Sequence, residues 1–249
     1  MLKILAVSDS ESPGLETMVS RFPEKLRDID VIISCGDLER EYLEFLVDGI
    51  NRDLFFVSGN HQQQCEEDIG GDNPVERLLQ SLRAFPEKLA RCIAGQSDLH
   101  GRVVTYKNYI IAGFGGSMWY SGRGNEYSER EMAKTVRQVE RKIQLFKLRQ
   151  KILNRPPYDL IIISHAPIFR VHDEPDLCHK GFKCFRDFVE NMSPLLWLHG
   201  HIHLDDVKKH QITVVGKTTV VNVFGHKFVA IDNDKIEVSL LNTHVHNIS

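Results

Sequence analysis

The chain has 249 residues, of which 42% are hydrophobic and 26% are charged, a composition typical of a soluble globular protein. The formal net charge of −3 excludes the basic field that tight, non-specific nucleic-acid binding requires. No apolar run approaches the roughly 18 residues of a membrane span, so no membrane association is expected. The five cysteines form no Cys-x-x-Cys pair, which predicts free thiols and a reducing, cytoplasmic location.

The first third of the chain alternates between strand and helix patterns. Short apolar runs predict strands over 2–8, 31–34 and 54–57, and helices are expected between them at about 15–26 and 39–50. The first run is short and is followed at once by acidic residues, which favours a buried strand over a secretion signal. The alternation predicts a parallel layer in an α/β fold.

The middle of the chain mixes loop patterns with one long helix. Residues 75–89 resemble a helix interrupted by a proline, and 102–106 with 109–112 form a hairpin pattern. A glycine-rich loop runs from 113 to 127, without the glycine spacing of a dinucleotide-binding turn. Ser128 and Glu131 have the spacing of a capping box, which predicts a helix that continues until two prolines follow.

The remainder of the chain returns to strands. The predicted elements are a strand over 160–164, a helix within 178–192, a strand over 195–198, and short strands over 212–215, 218–221, 227–231 and 236–240. No linker, repeat or low-complexity tract interrupts the sequence, so residues 1–249 are predicted to form a single domain.

Acidic, amide and imidazole side chains follow five of these strands where each strand ends. The residues are Asp9, Asp37, Asn60 with His61, His165, and His201 with His203. Each alone has a plain structural explanation as a helix cap, a turn residue or a core histidine. Their shared position favours a ligand site, because ligands bind at the carboxyl ends of strands in open α/β sheets. Such residues can together hold two divalent ions.

The last of these segments contains three histidines at alternate positions after an apolar run. On an extended segment His201 and His203 share a face, so both are able to point at one ion. Gly200 is expected to let the backbone turn tightly beneath them.

The order of these residues resembles the calcineurin-like metallophosphoesterases. That family's pattern runs Asp-x-His, Gly-Asp, Gly-Asn-His, a lone His and Gly-His-x-His. It appears here as Asp9-Ser10-Glu11, Gly36-Asp37, Gly59-Asn60-His61, His165 and Gly200-His201-Ile202-His203. The resemblance implies a four-layer α/β/β/α sandwich and hydrolysis of phosphoesters by a metal-bridged hydroxide at a dinuclear centre.

The resemblance also implies a role for each residue. Asp9 and His203 hold the first ion, and Asp37 bridges the two ions. The second ion is held by Asn60, His165 and His201. His61 contacts the phosphoryl oxygen and protonates the leaving group, while two ions neutralise charge and lower the pKa of a shared water.

Two positions depart from the family pattern. Glu11 stands where the family has histidine, and Gln62 stands where an acid often follows the Gly-Asn-His. Glu11 is predicted to ligate the first ion directly or through water; alternatively it turns away and leaves that ion weakly held. An additional carboxylate favours manganese or iron over zinc, and diesters over doubly charged monoesters.

The substrate itself is not evident from the sequence. A small-molecule phosphoester is expected, with nucleic acid only as a possible substrate, and no oligomeric state is indicated. His179 and Arg123 are candidate substrate contacts, although a structural role for His179 and an ordinary surface loop for Arg123 are favoured. The competing hypothesis is a catalytically weak member of the fold that serves as a scaffold for a protein partner. The intact His61 argues against it.

Overall fold

The computed structural model describes residues 1–61, 96–122, 124–205, 211–233 and 235–240. Four α-helices lie within these ranges: α1 (Pro13–Arg21), α2 (Arg40–Ile50), α3 (Glu129–Ile152) and α4 (Lys183–Met192). The strands are β1 (Leu2–Ser8), β2 (Val31–Ser34), β3 (Leu54–Phe56), β4 (Gln96–Asp98), β5 (Val103–Tyr106), β6 (Tyr109–Phe114), β7 (Ser117–Met118), β8 (Glu126–Tyr127), β9 (Asp159–Ser164), β10 (Leu196–His199), β11 (Gln211–Val215), β12 (Thr218–Asn222), β13 (Gly225–Asp232) and β14 (Lys235–Ser239).

The strands form two six-stranded mixed sheets and one small pair. The first sheet has the order β14-β13-β1-β2-β3-β4, and the second has the order β11-β12-β10-β9-β6-β5. Strands β1 to β4 pair in parallel, as do β6, β9, β10 and β12. The predicted parallel layer is therefore confirmed, and antiparallel strands complete the edges of both sheets.

The two large sheets pack face to face, with helices on both outer faces. Ile4 and Ile33 from the first sheet share one core cluster with Ile163 and Leu198 from the second. Helices α1 and α2 cover the outer face of the first sheet, and α3 and α4 cover that of the second. The predicted α/β/β/α sandwich is confirmed. Strand β10 has an apolar sequence because both of its faces are buried.

The first helix differs from its predicted extent. It begins at Pro13 behind the N-cap Ser12 and ends at Arg21, and residues Pro23–Leu26 form a separate 3-10 helix. Pro23 explains the break, since proline has no N–H to donate and disfavours helical backbone at the preceding residue. The predicted helix over 15–26 was therefore wrong beyond Arg21.

Other local predictions are confirmed. The Ser128 hydroxyl oxygen accepts from the backbone of Glu131, and the Glu131 carboxylate accepts from the backbone of Ser128, at the start of α3. The β5–β6 hairpin forms where it was predicted. The helix predicted over 75–89 lies outside the described residues.

The structure bears on two further predictions, the absence of a membrane span and the presence of free thiols. None of the described helices is both long and apolar enough to pass through a bilayer. Cys35, Cys178 and Cys184 are free thiols, and the other two cysteines lie outside the described residues.

Candidate metal centre

The carboxyl ends of parallel strands in both sheets meet at one edge of the sandwich. Asp37 follows β2, His165 follows β9, and His201 lies two residues beyond β10. One ligand atom from each of these three residues lies within 4.8 Å of the others. Sequence-distant residues are thus brought together as predicted, because both sheets direct the same ends of their parallel strands to this edge.

His165 is the most constrained residue of the cluster. Its ring is fully buried, and Nδ1 donates a hydrogen bond to the carbonyl oxygen of Cys35 at 2.8 Å. The lone pair of the neutral ring is therefore on Nε2. This atom lies 2.8 Å from Oδ1 of Asn60 and 3.2 Å from Oδ2 of Asp37.

Three acceptor atoms therefore converge on one point. Two oxygens and a nitrogen lone pair repel one another unless a proton or a metal cation lies between them. Asn60 is oriented independently, since its Nδ2 donates to the hydroxyl of Tyr120 at 3.1 Å and its Oδ1 is thereby turned towards His165. Oxygen and imidazole ligands of this kind suit a divalent cation.

The charges of Asp37 and His165 are coupled when no metal is present. Burial acts to lower the pKa of His165, but the hydrogen bond and charge of Asp37 outweigh it and raise the pKa. Burial acts to raise the pKa of Asp37, and the hydrogen bond and charge of His165 outweigh it and lower the pKa. A metal ion would replace the shared proton, so binding is expected to release it.

Asp9 and His203 form the other half of the site. The Asp9 carboxylate is fully buried and accepts the backbone N–H of His201 at 2.9 and 3.0 Å. Nε2 of His203 lies 3.8 Å from Oδ1 of Asp9, and the nearby carboxylate of Asp9 raises the pKa of His203. These two side chains therefore lie beside each other at the ends of the strands.

His201 and His203 do not share one strand face, contrary to the geometric prediction. Strand β10 ends at His199, and His201 adopts left-handed backbone with φ +67°. That conformation breaks the two-residue alternation of an extended segment. His201 is therefore buried beside His165, with ring centroids 4.8 Å apart, whereas His203 is 66% exposed beside Asp9.

Left-handed backbone recurs at the centre. Asp9 has φ +63° and Asp37 has φ +54°, in addition to His201. Each lies just past the end of a strand, so the reversal of the backbone directs the following residues away from the sheet. A non-glycine residue in this region costs about 1–3 kcal/mol, and such residues cluster at functional sites.

Glycines permit the close packing of the ligand side chains. A Cβ on Gly200 would lie 2.0 Å from Oγ of Ser8 and 2.5 Å from Oδ2 of Asp9, and one on Gly59 would lie 1.9 Å from Oδ1 of Asp37. Gly200 was predicted to provide the tight turn, but the left-handed residue is His201. The glycine supplies space for the carboxylate of Asp9.

Two loop residues that sequence reasoning did not assign to the centre also contact it. The carbonyl oxygen of Cys178 accepts from Nε2 of His201 at 2.9 Å, which fixes the tautomer of that ring. The hydroxyl of Tyr120 binds the amide of Asn60 and hydrogen-bonds the thiol of Cys178. Neither loop carries a periodic pattern that would predict these contacts.

The remaining predicted residues are placed as follows. His61 is exposed, and its backbone N–H donates to Oδ1 of Asp37 at 3.0 Å. Glu11 is exposed and belongs to none of the ligand groups found among the described residues. The ring of His179 lies 5.3 Å from that of His201, and Arg123 lies outside the described residues.

The structure defines the class of the protein as an α/β/β/α sandwich with candidate metal ligands at the shared strand ends. The sequence model that describes the calcineurin-like phosphoesterases matches residues 2–205, and the chain belongs to this family. The resemblance predicted from five short motifs is thereby confirmed. Members of the family act through a dinuclear metal centre, and the candidate ligand groups of this chain fit that requirement.

Solved structures resemble this one over nearly the whole chain. The protein TT1561 of Thermus thermophilus is 15% identical over 96% of this chain and 98% of its own, with a TM-score of 0.58. A dimetal phosphatase from Danio rerio is 11% identical over 95% of both chains, also with a TM-score of 0.58. These likenesses establish the fold. No curated protein matches the sequence significantly.

Proposed function

We propose that this protein hydrolyses phosphodiester bonds with two divalent ions, and that manganese or iron supports the reaction better than zinc. The observation that carries the proposal is that Asn60 Oδ1 and Asp37 Oδ2 lie 2.8 and 3.2 Å from Nε2 of His165. Three acceptors so close together match the ligand set of a cation.

The proposed ligands divide between two positions. Asp9 and His203 would hold the first ion, since Oδ1 of Asp9 lies 3.8 Å from Nε2 of His203. Asn60, His165 and His201 would hold the second, and Asp37 would contact both. Glu11 lies two residues past Asp9 and is exposed, and we assign it to the first ion directly or through water. Its carboxylate is the feature that favours manganese or iron.

The ions would neutralise the charge on the phosphoryl oxygens and acidify a water molecule at neutral pH. The protein's own residues then orient the ester and supply a proton. His61 is fixed by its backbone bond to Asp37, and its exposed ring is accessible to a bound ester. Proton donation to the leaving oxygen by such a group contributes about 10²–10⁴-fold to the rate.

The preference for diesters is supported by negative charge around the centre. The carboxylates of Asp176, Glu126 and Asp37 are close enough to Cys178 to help burial raise the pKa of its thiol. A monoester carries about two negative charges near neutral pH and a diester carries one. Repulsion from these carboxylates therefore disfavours the monoester more strongly.

The test compares a chromogenic diester with the corresponding monoester, bis(p-nitrophenyl) phosphate and p-nitrophenyl phosphate, under manganese, iron and zinc. We expect faster diester hydrolysis, with manganese or iron superior to zinc. Asp37→Asn should lose both ions together in metal analysis, whereas Asp48→Asn, which alters an exposed aspartate of α2, should retain both.

Full metal content and activity in Asp37→Asn would overturn the assignment. Faster monoester hydrolysis would refute the diester preference alone. Stoichiometric metal binding with no turnover of either ester would instead favour the scaffold hypothesis.

A further inference from the structure

A second group of potential metal ligands adjoins the proposed dinuclear centre. One ligand atom from each of Cys178, His179 and His201 lies within 4.8 Å of the others. Tetrahedral zinc, with bonds of about 2.0–2.3 Å to nitrogen and sulfur, places its ligand atoms about 3–4 Å apart. The sulfur of Cys178 also distinguishes this group from the proposed dinuclear ligand set, which contains only oxygen and nitrogen.

His179 is held in an orientation suited to binding a metal. Its Nδ1 lies 3.1 and 3.0 Å from the two carboxylate oxygens of Asp176, and its backbone N–H donates to Oδ1 of Asp176 at 3.1 Å. Because a carboxylate accepts, the Nδ1 atom carries the proton and Nε2 has the lone pair. A carboxylate behind a histidine is the usual support of a metal-binding imidazole.

His201 has one lone pair to offer. Its Nε2 donates to the carbonyl oxygen of Cys178 at 2.9 Å, which leaves the single lone pair of the neutral ring on Nδ1. His201 belongs to both ligand groups, so it serves one ion at a time.

Cys178 is accessible and already hydrogen-bonded. Its side chain is half-buried, and its thiol interacts with the hydroxyl of Tyr120. When a metal binds, the thiol proton passes to solvent and the thiolate bonds to the ion, with the Tyr120 hydroxyl able to donate to the sulfur. Thiolate ligands select zinc over manganese, which prefers oxygen.

We propose that Cys178, His179 and His201 form a zinc site that withdraws His201 from the dinuclear centre and so inhibits the enzyme. Manganese leaves this site empty because it binds thiolate weakly, and zinc fills it. The two metals thus have opposite effects on one protein. The inhibition rests on the proposed function, whereas the existence of the site does not.

Cobalt(II) is the probe for the site itself, because thiolate–cobalt bonds give a charge-transfer band in the near ultraviolet that oxygen and nitrogen ligands do not give. Titration of the metal-free protein should produce this band in the native chain and in Cys184→Ser, a control at another free thiol. Cys178→Ser should lose the band. A band of full intensity in Cys178→Ser, or none in the native protein, overturns the proposal.

Zinc inhibition provides the second measurement, with each manganese-loaded variant normalised to its own zinc-free rate. Native protein should lose activity as zinc is added. Asp176→Asn, which removes the support of His179, should require about 10–100-fold more zinc. Cys178→Ser should require at least as much. Equal zinc sensitivity of all three proteins refutes the inhibitory site, and if no protein shows turnover the proposed function fails while the cobalt titration still decides the site.

Discussion

A buried lysine in the first sheet should make stability rise with pH. Lys227 on β13 pairs with Ala6 of β1, its side chain is fully buried, and Nζ donates to the carbonyl oxygen of Phe224 at 2.9 Å. Burial lowers the pKa of Lys227 from 10.5 to about 8. Below pH 8 both states are protonated, and the shift destabilises the folded protein by ~3 kcal/mol at 1.36 kcal/mol per unit.

Between pH 8 and 10.5 the unfolded chain binds one more proton than the folded chain. The free energy of unfolding therefore increases with pH across this window, and the burial penalty is lost as the pH rises. In Lys227→Met this contribution is absent. The stability advantage of the variant over the native protein should therefore shrink by ~3 kcal/mol across the window.

Urea unfolding of the chelator-treated proteins at several pH values between 7 and 10.5 measures this difference. Titrating tyrosines and cysteines are common to both proteins and cancel in the comparison. Lys217→Met, at an exposed lysine in the turn between β11 and β12, should follow the native profile. Parallel profiles for the native protein and Lys227→Met would refute the reasoning.

Three further changes test the centre directly. His61→Gln should lower turnover about 10²–10⁴-fold while metal stoichiometry stays unchanged, and loss of metal would contradict a role in proton donation. Tyr120→Phe removes the hydroxyl that orients Asn60, and the affinity for the second ion should fall about 10-fold or more in a metal titration. Gly200→Ala places a Cβ 2.5 Å from the carboxylate of Asp9. Overpacking should lower the thermal stability of the metal-free protein by ~1–3 kcal/mol, and an unchanged melting temperature would contradict this.

The strands and the position of the site could be predicted from the sequence because strands that are buried on both faces have mostly apolar sequences. Strands β1 and β10 are predominantly apolar, and the residues after them lie at the ligand edge as parallel pairing requires. The convergence of Asp37, His165 and His201 followed from that topology. Even the break after Arg21 was encoded, since Pro23 prevents a continuous helix.

The loop contacts that complete the centre could not be predicted from the sequence in this way. Tyr120 and Cys178 lie in loops, and their approach to Asn60 and His201 depends on how both loops pack over the sheet ends. No periodicity specifies such contacts. The separation of His201 from His203 depends on a single backbone angle, which no alternation of residue types predicts.

The left-handed residues at the strand ends have a consequence for the evolution of this fold. Asp9, Asp37 and His201 adopt an unfavourable, left-handed backbone conformation. Replacement by glycine would relieve strain of about 1–3 kcal/mol at each position, offset by about 0.4–1 kcal/mol from the greater entropy of the unfolded chain, while removing a ligand. Backbone strain alone would therefore favour loss of these ligands, and selection for metal-dependent chemistry would act against that strain to keep the three side chains.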